Sequence, residues 1–260
     1  MPWSERQRAM LREMGIPLWL PEPAVVPAAP LPERAPVGSP RVGEPDPPPF
    51  GPALSEPAAA GPPSLLDWPA LRGAVAACRA CGLCQTRKQT VFGVGSQRAR
   101  WMVVGEAPGE QEDAQGEPFV GASGQLLDQM LAALGLTRAA EGAPPERQVY
   151  IANTLKCRPP RNRNPEPAEL AQCEPFLVRQ IELLQPRIIL AMGRFAVQTL
   201  LRSSEPIGKL RGRVHHYHGV PLVVTYHPAY LLRSLGEKAR AWDDLCLAAE
   251  TAEAVTASSA

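Results

Sequence analysis

The 260-residue chain has no uninterrupted apolar stretch of about eighteen residues, which excludes an ordinary membrane-spanning helix. Its opening residues, MPWSERQRAMLREMG, are charged and lack the apolar centre of a secretory signal, so a cytoplasmic setting is the expectation. In that compartment six cysteines speak for metal ligands, catalytic thiols or core rather than a disulfide framework. Charge of either sign is also scarce in excess: the formal net charge is +1, which calls for no acidic partner by itself. The Gly-x4-Gly-Lys-Ser/Thr phosphate loop is missing, which removes the usual nucleotide hydrolases.

Proline, by contrast, is abundant and uneven. Fifteen of thirty-one prolines fall between Pro21 and Pro63, among Ala, Gly and Glu, a composition that can neither sustain a helix ladder nor build a core. Residues 1–63 therefore read as a short helix, Ser4 to Met14, an apolar IPLWL tag and a disordered linker. That end is either a frayed terminus or a tethered peptide for a protein partner through residues 1–20. A folded domain is expected over 64–260.

Within it, short runs rich in Val and Ile recur at Trp101–Glu106, Gln148–Leu155, Arg187–Gly193 and Pro221–Pro228. Helical patterns cover Ser64–Ala80, Gly124–Leu136, Pro167–Leu184, Arg194–Leu201 and Ala239–Val255. Strands alternating with helices argue for an α/β fold, a parallel sheet covered on both faces. Ligands in such sheets bind at the carboxyl ends of the strands, so the residues there carry the functional reading.

The first strand is followed by GEAPGEQEDAQGEPFVG, a Gly- and Pro-rich loop with Glu106, Glu110, Glu112, Asp113 and one aromatic, Phe119. Four carboxylates so close repel one another, which a purely structural loop would avoid. The second strand holds Asn153, whose amide offers both a donor and an acceptor to a planar ligand edge. A basic run follows, Lys156, Arg158, Arg161 and Arg163, either a solvated loop or a phosphate-contact surface. The fourth strand ends at His227. His215, His216 and His218 invite a metal reading, but alternation puts 215 on the opposite face from 216 and 218, so a polar hairpin turning at His218–Gly219 is the better account.

Cys78 and Cys81 form a Cys-x-x-Cys pair, and Cys157 and Cys173 stand 16 residues apart. Four thiolates suit zinc or a [4Fe–4S] cluster, and spacing does not choose between them. Cys246 falls in the apolar stripe of the last helix and reads as core.

Taken in order, GEAPGEQED, GEPFVGASGQLL, YIANTLKCRPPRNRNP and HPAYLLR, with the cysteines, resemble family 4 uracil-DNA glycosylases over roughly Leu66 to Ala249. The resemblance implies a three-layer α/β/α sandwich around a four-stranded parallel sheet. It implies hydrolysis of the N-glycosidic bond of deoxyuridine in single- or double-stranded DNA, in base excision repair at the bacterial nucleoid. Glu106, Ala107 and Pro108 would line the pocket, Phe119 would stack on the flipped base, and Asn153 would read its edge. His227 would stabilise the leaving anion, with Glu106 and Glu112 as candidates for activating water. Lys156, Arg158, Arg161, Arg163 and Arg233 would contact DNA, and Leu231 or Leu232 would wedge into it. Cys78, Cys81, Cys157 and Cys173 would hold a [4Fe–4S] cluster in a structural role, with Cys84 a spare thiol or alternate ligand. The chain is expected to act as a monomer. A related branch that stays covalently attached to DNA carries a basic insertion that VVTYHPAYLL lacks. A non-catalytic cluster-bearing accessory protein is the other alternative.

Overall fold

The computed structural model describes residues 62–139 and 142–258, so the expected N-terminal helix, apolar tag and most of the linker lie outside the described residues. Six strands are present: β1 (Val94–Gly95), β2 (Trp101–Gly105), β3 (Val149–Asn153), β4 (Ile188–Met192), β5 (Val214–Tyr217) and β6 (Val220–Thr225). They form one sheet in the order β1-β3-β2-β4-β6-β5. The four expected strands are its parallel centre, and β1 and β5 extend it as antiparallel edges. The sheet is thus wider than expected, because β1 is too short to leave a pattern and β5 is polar on its open side.

Strands β2, β3 and β4 are buried along their whole length and β6 from Leu222 to Thr225, and residue parity sorts their side chains into two cores. Met102, Val104, Tyr150, Ala152, Ile189, Ala191, Leu222 and Val224 face α4 (Pro167–Leu184) and α5 (Arg194–Leu201). Trp101, Val103, Val149, Ile151, Ile188, Leu190 and Val223 face α3 (Ala122–Ala133) and α8 (Lys238–Ser258). This is the three-layer α/β/α sandwich.

Local chemistry sets the helix ends. Helix α1 (Trp68–Ala77) starts at Asp67, whose carboxylate accepts from the Ala70 N–H at 2.9 Å, and it stops before Cys78. It is therefore shorter than the expected 64–80. Helices α4 and α5 run over the expected spans. The acidic loop contains an unanticipated turn of helix, α2 (Glu110–Gln115). Two further short helices, α6 (Ile207–Leu210) and α7 (Pro228–Leu231), flank the β5–β6 hairpin. That hairpin turns at His218 and Gly219, both at positive φ (46° and 82°), the conformation a two-residue turn of matching twist needs. In α8 the deeply buried positions are Ala241, Asp244, Leu245 and Ala248, so Cys246 is half-buried beside that stripe rather than in it. No described helix is long and apolar enough to cross a membrane.

Candidate active site

Reversal of connection direction between β2 and β4 opens a crevice at their carboxyl ends. A cavity of about 260 Å³ sits there, lined among others by Glu106, Ala107 and Pro108 after β2, Phe119, Asn153 at the end of β3, and His227 after β6. The loops predicted to cooperate do meet. Thr154 ties two of them together, its N–H donating to the Gly105 carbonyl at 3.0 Å and its hydroxyl to that of Glu106 at 2.5 Å.

Asn153 is buried, and its Oδ1 has no hydrogen-bond partner among the described residues. A buried acceptor left open is costly to folding and calls for a ligand donor. The backbone carbonyl of Asn153 is held from below by the Lys156 ammonium at 2.8 Å. Phe119 takes a positive φ of 56° and stacks on the His227 ring, centroids 5.4 Å apart and planes 25° from parallel. Close packing behind these groups requires Gly105, where a Cβ would lie 2.5 Å from Asn153 Oδ1 and 2.6 Å from the Phe119 ring.

The Nδ1 atom of His227 accepts from the Ala229 N–H at 3.2 Å, which leaves the proton on Nε2. Burial pulls the imidazole down to about pKa 4, against the raising influence of Glu112, so the ring is neutral near pH 7. His227 is accordingly a neutral donor facing the cavity.

The two carboxylate candidates separate. Glu112 Oε2 accepts from the Gly109 N–H at 3.0 Å, and Oε1 from those of Val120 and Gly121 at 3.1 and 3.4 Å. It braces the loop. Asp113 similarly receives the backbone N–H groups of Lys88 and Gln89, so the repulsion expected in this loop is resolved by amide donors. Glu106 makes no side-chain hydrogen bond among the described residues, and burial raises its pKa against the opposing charge of Arg194. Arg194 itself was missed: it follows β4 in AMGR, where the same strand-end rule would have found it.

The expected DNA-contacting set is corrected at two positions, Lys156 and Leu231, which are buried. Lys156 is 1% exposed, its ammonium spent on Asn153 and on Gln180 Oε1 at 2.6 Å, so it positions the site and meets no solvent. Arg158 donates to Asn162 at 2.7 Å and lies 3.6 Å from Glu110, and Arg163 grips Glu169 with both ends of its fork. Arg161 remains exposed. Leu231 is 1% exposed and belongs to the core, whereas Leu232 is 43% exposed. The rotation of about 100° per residue at the end of α7 decides which of two adjacent leucines points outward. Leu231→Ala should therefore cost about 2–5 kcal/mol of stability in urea denaturation, while Leu232→Ala leaves the midpoint nearly unchanged.

Cys78, Cys81, Cys84, Cys157 and Cys173 line a second, apolar pocket with Val75, Leu83, Leu155 and Phe176. Arg87 Nη1 donates to Cys157 Sγ at 3.0 Å, and the Lys156 N–H donates to Cys173 Sγ at 3.3 Å. Burial pushes the Cys81 and Cys157 thiols up and the Cys173 thiol to about 12. Among the described residues no three His, Cys, Asp or Glu converge on a single ion.

Residues 92–246 match the family described as the uracil DNA glycosylase superfamily. The type-4 uracil-DNA glycosylase of Archaeoglobus fulgidus is 43% identical over 166 residues, 61% of this chain and 79% of that protein. That of Thermotoga maritima is 41% identical over 165 residues, 63% and 82% of the two chains. A type-5 uracil-DNA glycosylase of Pyrobaculum aerophilum is 34% identical over 146 residues, 53% and 64%. On the match across the whole sheet and its strand-end loops, the chain belongs to the uracil-DNA glycosylase superfamily, and within it to the type-4 family.

Proposed function

We propose that this chain is a monofunctional DNA glycosylase that hydrolyses the N-glycosidic bond of deoxyuridine, releasing uracil and leaving an abasic site. The observation that carries the reading is the open Oδ1 of Asn153 in a cavity walled by Phe119 and a neutral His227. A base inside a duplex cannot reach such a cavity, so the target nucleotide must leave the stack. Uracil presents an imide N–H flanked by carbonyls. That N–H satisfies Oδ1, and the amide NH₂ of Asn153 serves a carbonyl. Cytosine presents a lone pair where uracil has the N–H, which leaves Oδ1 unpaired and disfavours it. The Phe119 ring covers the base face.

As the glycosidic bond breaks, charge collects on the uracil carbonyl facing His227, whose Nε2–H donates to it. Glu106, free of other partners, is the carboxylate placed to orient water toward the sugar. Its raised pKa reflects the burial that would sharpen that role. Glu112 acts indirectly, by holding the loop.

Four sulfurs around one apolar pocket, with Cys157 buried and Cys78, Cys81 and Cys173 half-buried, suit a soft multinuclear centre. Cys78, Cys81, Cys157 and Cys173 are the proposed holders of a [4Fe–4S] cluster. Bound there, it would supply a cross-link between the end of α1, the β3 loop and α4. Domain assignment follows: residues 64–260 form the catalytic unit, acting as a monomer on nucleoid DNA, with residues 1–20 as a peptide for a protein partner.

The test is excision from uracil-containing DNA followed by alkaline cleavage. Strand breakage at the uracil position is expected, and an intact strand at stoichiometric protein defeats the reading. His227→Ala should lower the single-turnover rate by about 10²–10³. Because burial holds the imidazole neutral down to about pH 4, acidification should produce no inflection near the ordinary histidine value that depends on His227. An inflection near 6.5 that vanishes in the variant would contradict the assignment.

A further inference from the structure

Apart from the exposed Arg161, the cations of the loop after β3 are paired within the protein, which leaves open what else meets the DNA backbone. A different surface has the charge. Residues 206–244 contain Lys209, Arg211, Arg213, Arg233, Lys238 and Arg240 against Glu237, Asp243 and Asp244. Asp244 is buried on Arg211 at 3.0 Å, and Glu237 is 3.1 Å from Arg240. Lys209, Arg213, Arg233 and Lys238 are exposed with no ion pair among the described residues, opposed by the exposed Asp243.

Topology brings these separated residues together. Strand β5 runs antiparallel to β6, with Val214 opposite Val223, so residues 209–213 arrive at the carboxyl end of the sheet, where the cavity opens. Arg211 locks them there: it reaches Asp244 and the Arg240 carbonyl, and its guanidinium lies 5.6 Å from the Tyr226 ring. Tyr226 in turn packs on Tyr230, centroids 5.2 Å apart. Tyr230 is 39% exposed and follows Ala229, a cavity-lining residue. Arg233 is close enough to His227 to depress its basicity. The patch is therefore continuous with the cavity, cationic, and edged by an exposed aromatic.

We infer that this α6–α8 surface, rather than the loop after β3, is the main clamp on the phosphates flanking the flipped nucleotide. Polyanion charge is the complement of four unpaired cations, and an exposed Tyr beside them offers a stacking face for a neighbouring base. The inference rests on the proposed function for its DNA substrate.

Each phosphate contact contributes about 0.9 to the slope of log affinity against log salt on duplex DNA. The experiment measures the full chain, with cluster, binding a uracil-free duplex by fluorescence anisotropy across salt concentrations. Lys209→Gln/Arg213→Gln/Lys238→Gln should reduce the slope by about 2–3 and weaken binding at least tenfold at about 0.1 M salt. Arg161→Gln should change the slope by no more than about 1. An unchanged slope in the triple variant, or a larger loss in Arg161→Gln, overturns the inference. Binding to uracil-free DNA is read whether or not excision occurs, so failure of the clamp and failure of the glycosylase reading are separable. Tyr230→Ala should weaken single-strand binding several-fold where Tyr230→Phe does not, and equal loss in both would remove the stacking role.

Discussion

Asn153→Ala is expected to lower single-turnover uracil excision by about 10³-fold or more while leaving the melting temperature unchanged or raised. The two halves of this result come from one feature. In the free protein Oδ1 is a buried acceptor with no partner, so deleting it removes a desolvated group and no bond. With substrate it takes the imide N–H, and its loss leaves that donor, and one carbonyl, unmet in a closed site. Asn153→Asp, nearly isosteric, should also lose activity by about 10² or more, because a carboxylate cannot donate to the carbonyl. A variant that loses activity and Tm together would make Asn153 a folding residue and defeat the assignment. Rates from rapid-quench excision and Tm from calorimetry decide it. A stable fold carrying one open acceptor is a familiar exchange of stability for function.

Cys173→Ala should abolish absorbance near about 400 nm and lower Tm by roughly 10 °C or more, whereas Cys84→Ser should change neither. Cys173 sits mid-α4 and accepts the Lys156 N–H, so it anchors the same segment whose Lys156 side chain holds the Asn153 carbonyl. Losing the proposed cross-link would loosen that connection. Excision should fall as a consequence, but colour and Tm are the primary readouts. The burial that pushes the Cys173 thiol to about 12 keeps that one side chain a neutral thiol near pH 7 when no metal is bound. Retained colour in Cys173→Ala, or its loss in Cys84→Ser, would require a different ligand set.

Some readings failed for a common reason. The loop from Lys156 to Arg163 looked like a phosphate-binding run because four cations in eight residues usually face water. Here Lys156 turns inward to Gln180, and Arg158 and Arg163 find Asn162, Glu110 and Glu169, two of these from other elements. The acidic loop looked mutually repulsive because its backbone donors were invisible; Glu112 and Asp113 are met by five backbone N–H groups, from residues up to 25 positions away. In both cases side-chain type was read correctly and the partner was supplied by the fold. Apart from Arg233, the cations of the proposed clamp were overlooked for the converse reason: they are spread over some thirty residues and converge through the antiparallel return of β5.

Sequence by itself determined the layered α/β architecture, because buried strands and amphipathic helices declare themselves through local apolar periodicity. It also determined the strand-end positions of Glu106, Asn153 and His227, because in a parallel sheet chemistry collects where strands stop. Only the tertiary structure decided which of Leu231 and Leu232 is exposed, which carboxylate is free, and which cations face outward. Those outcomes depend on hydrogen-bond partners and packing neighbours distant along the chain, and burial rather than residue type sets whether a charge is spent or available.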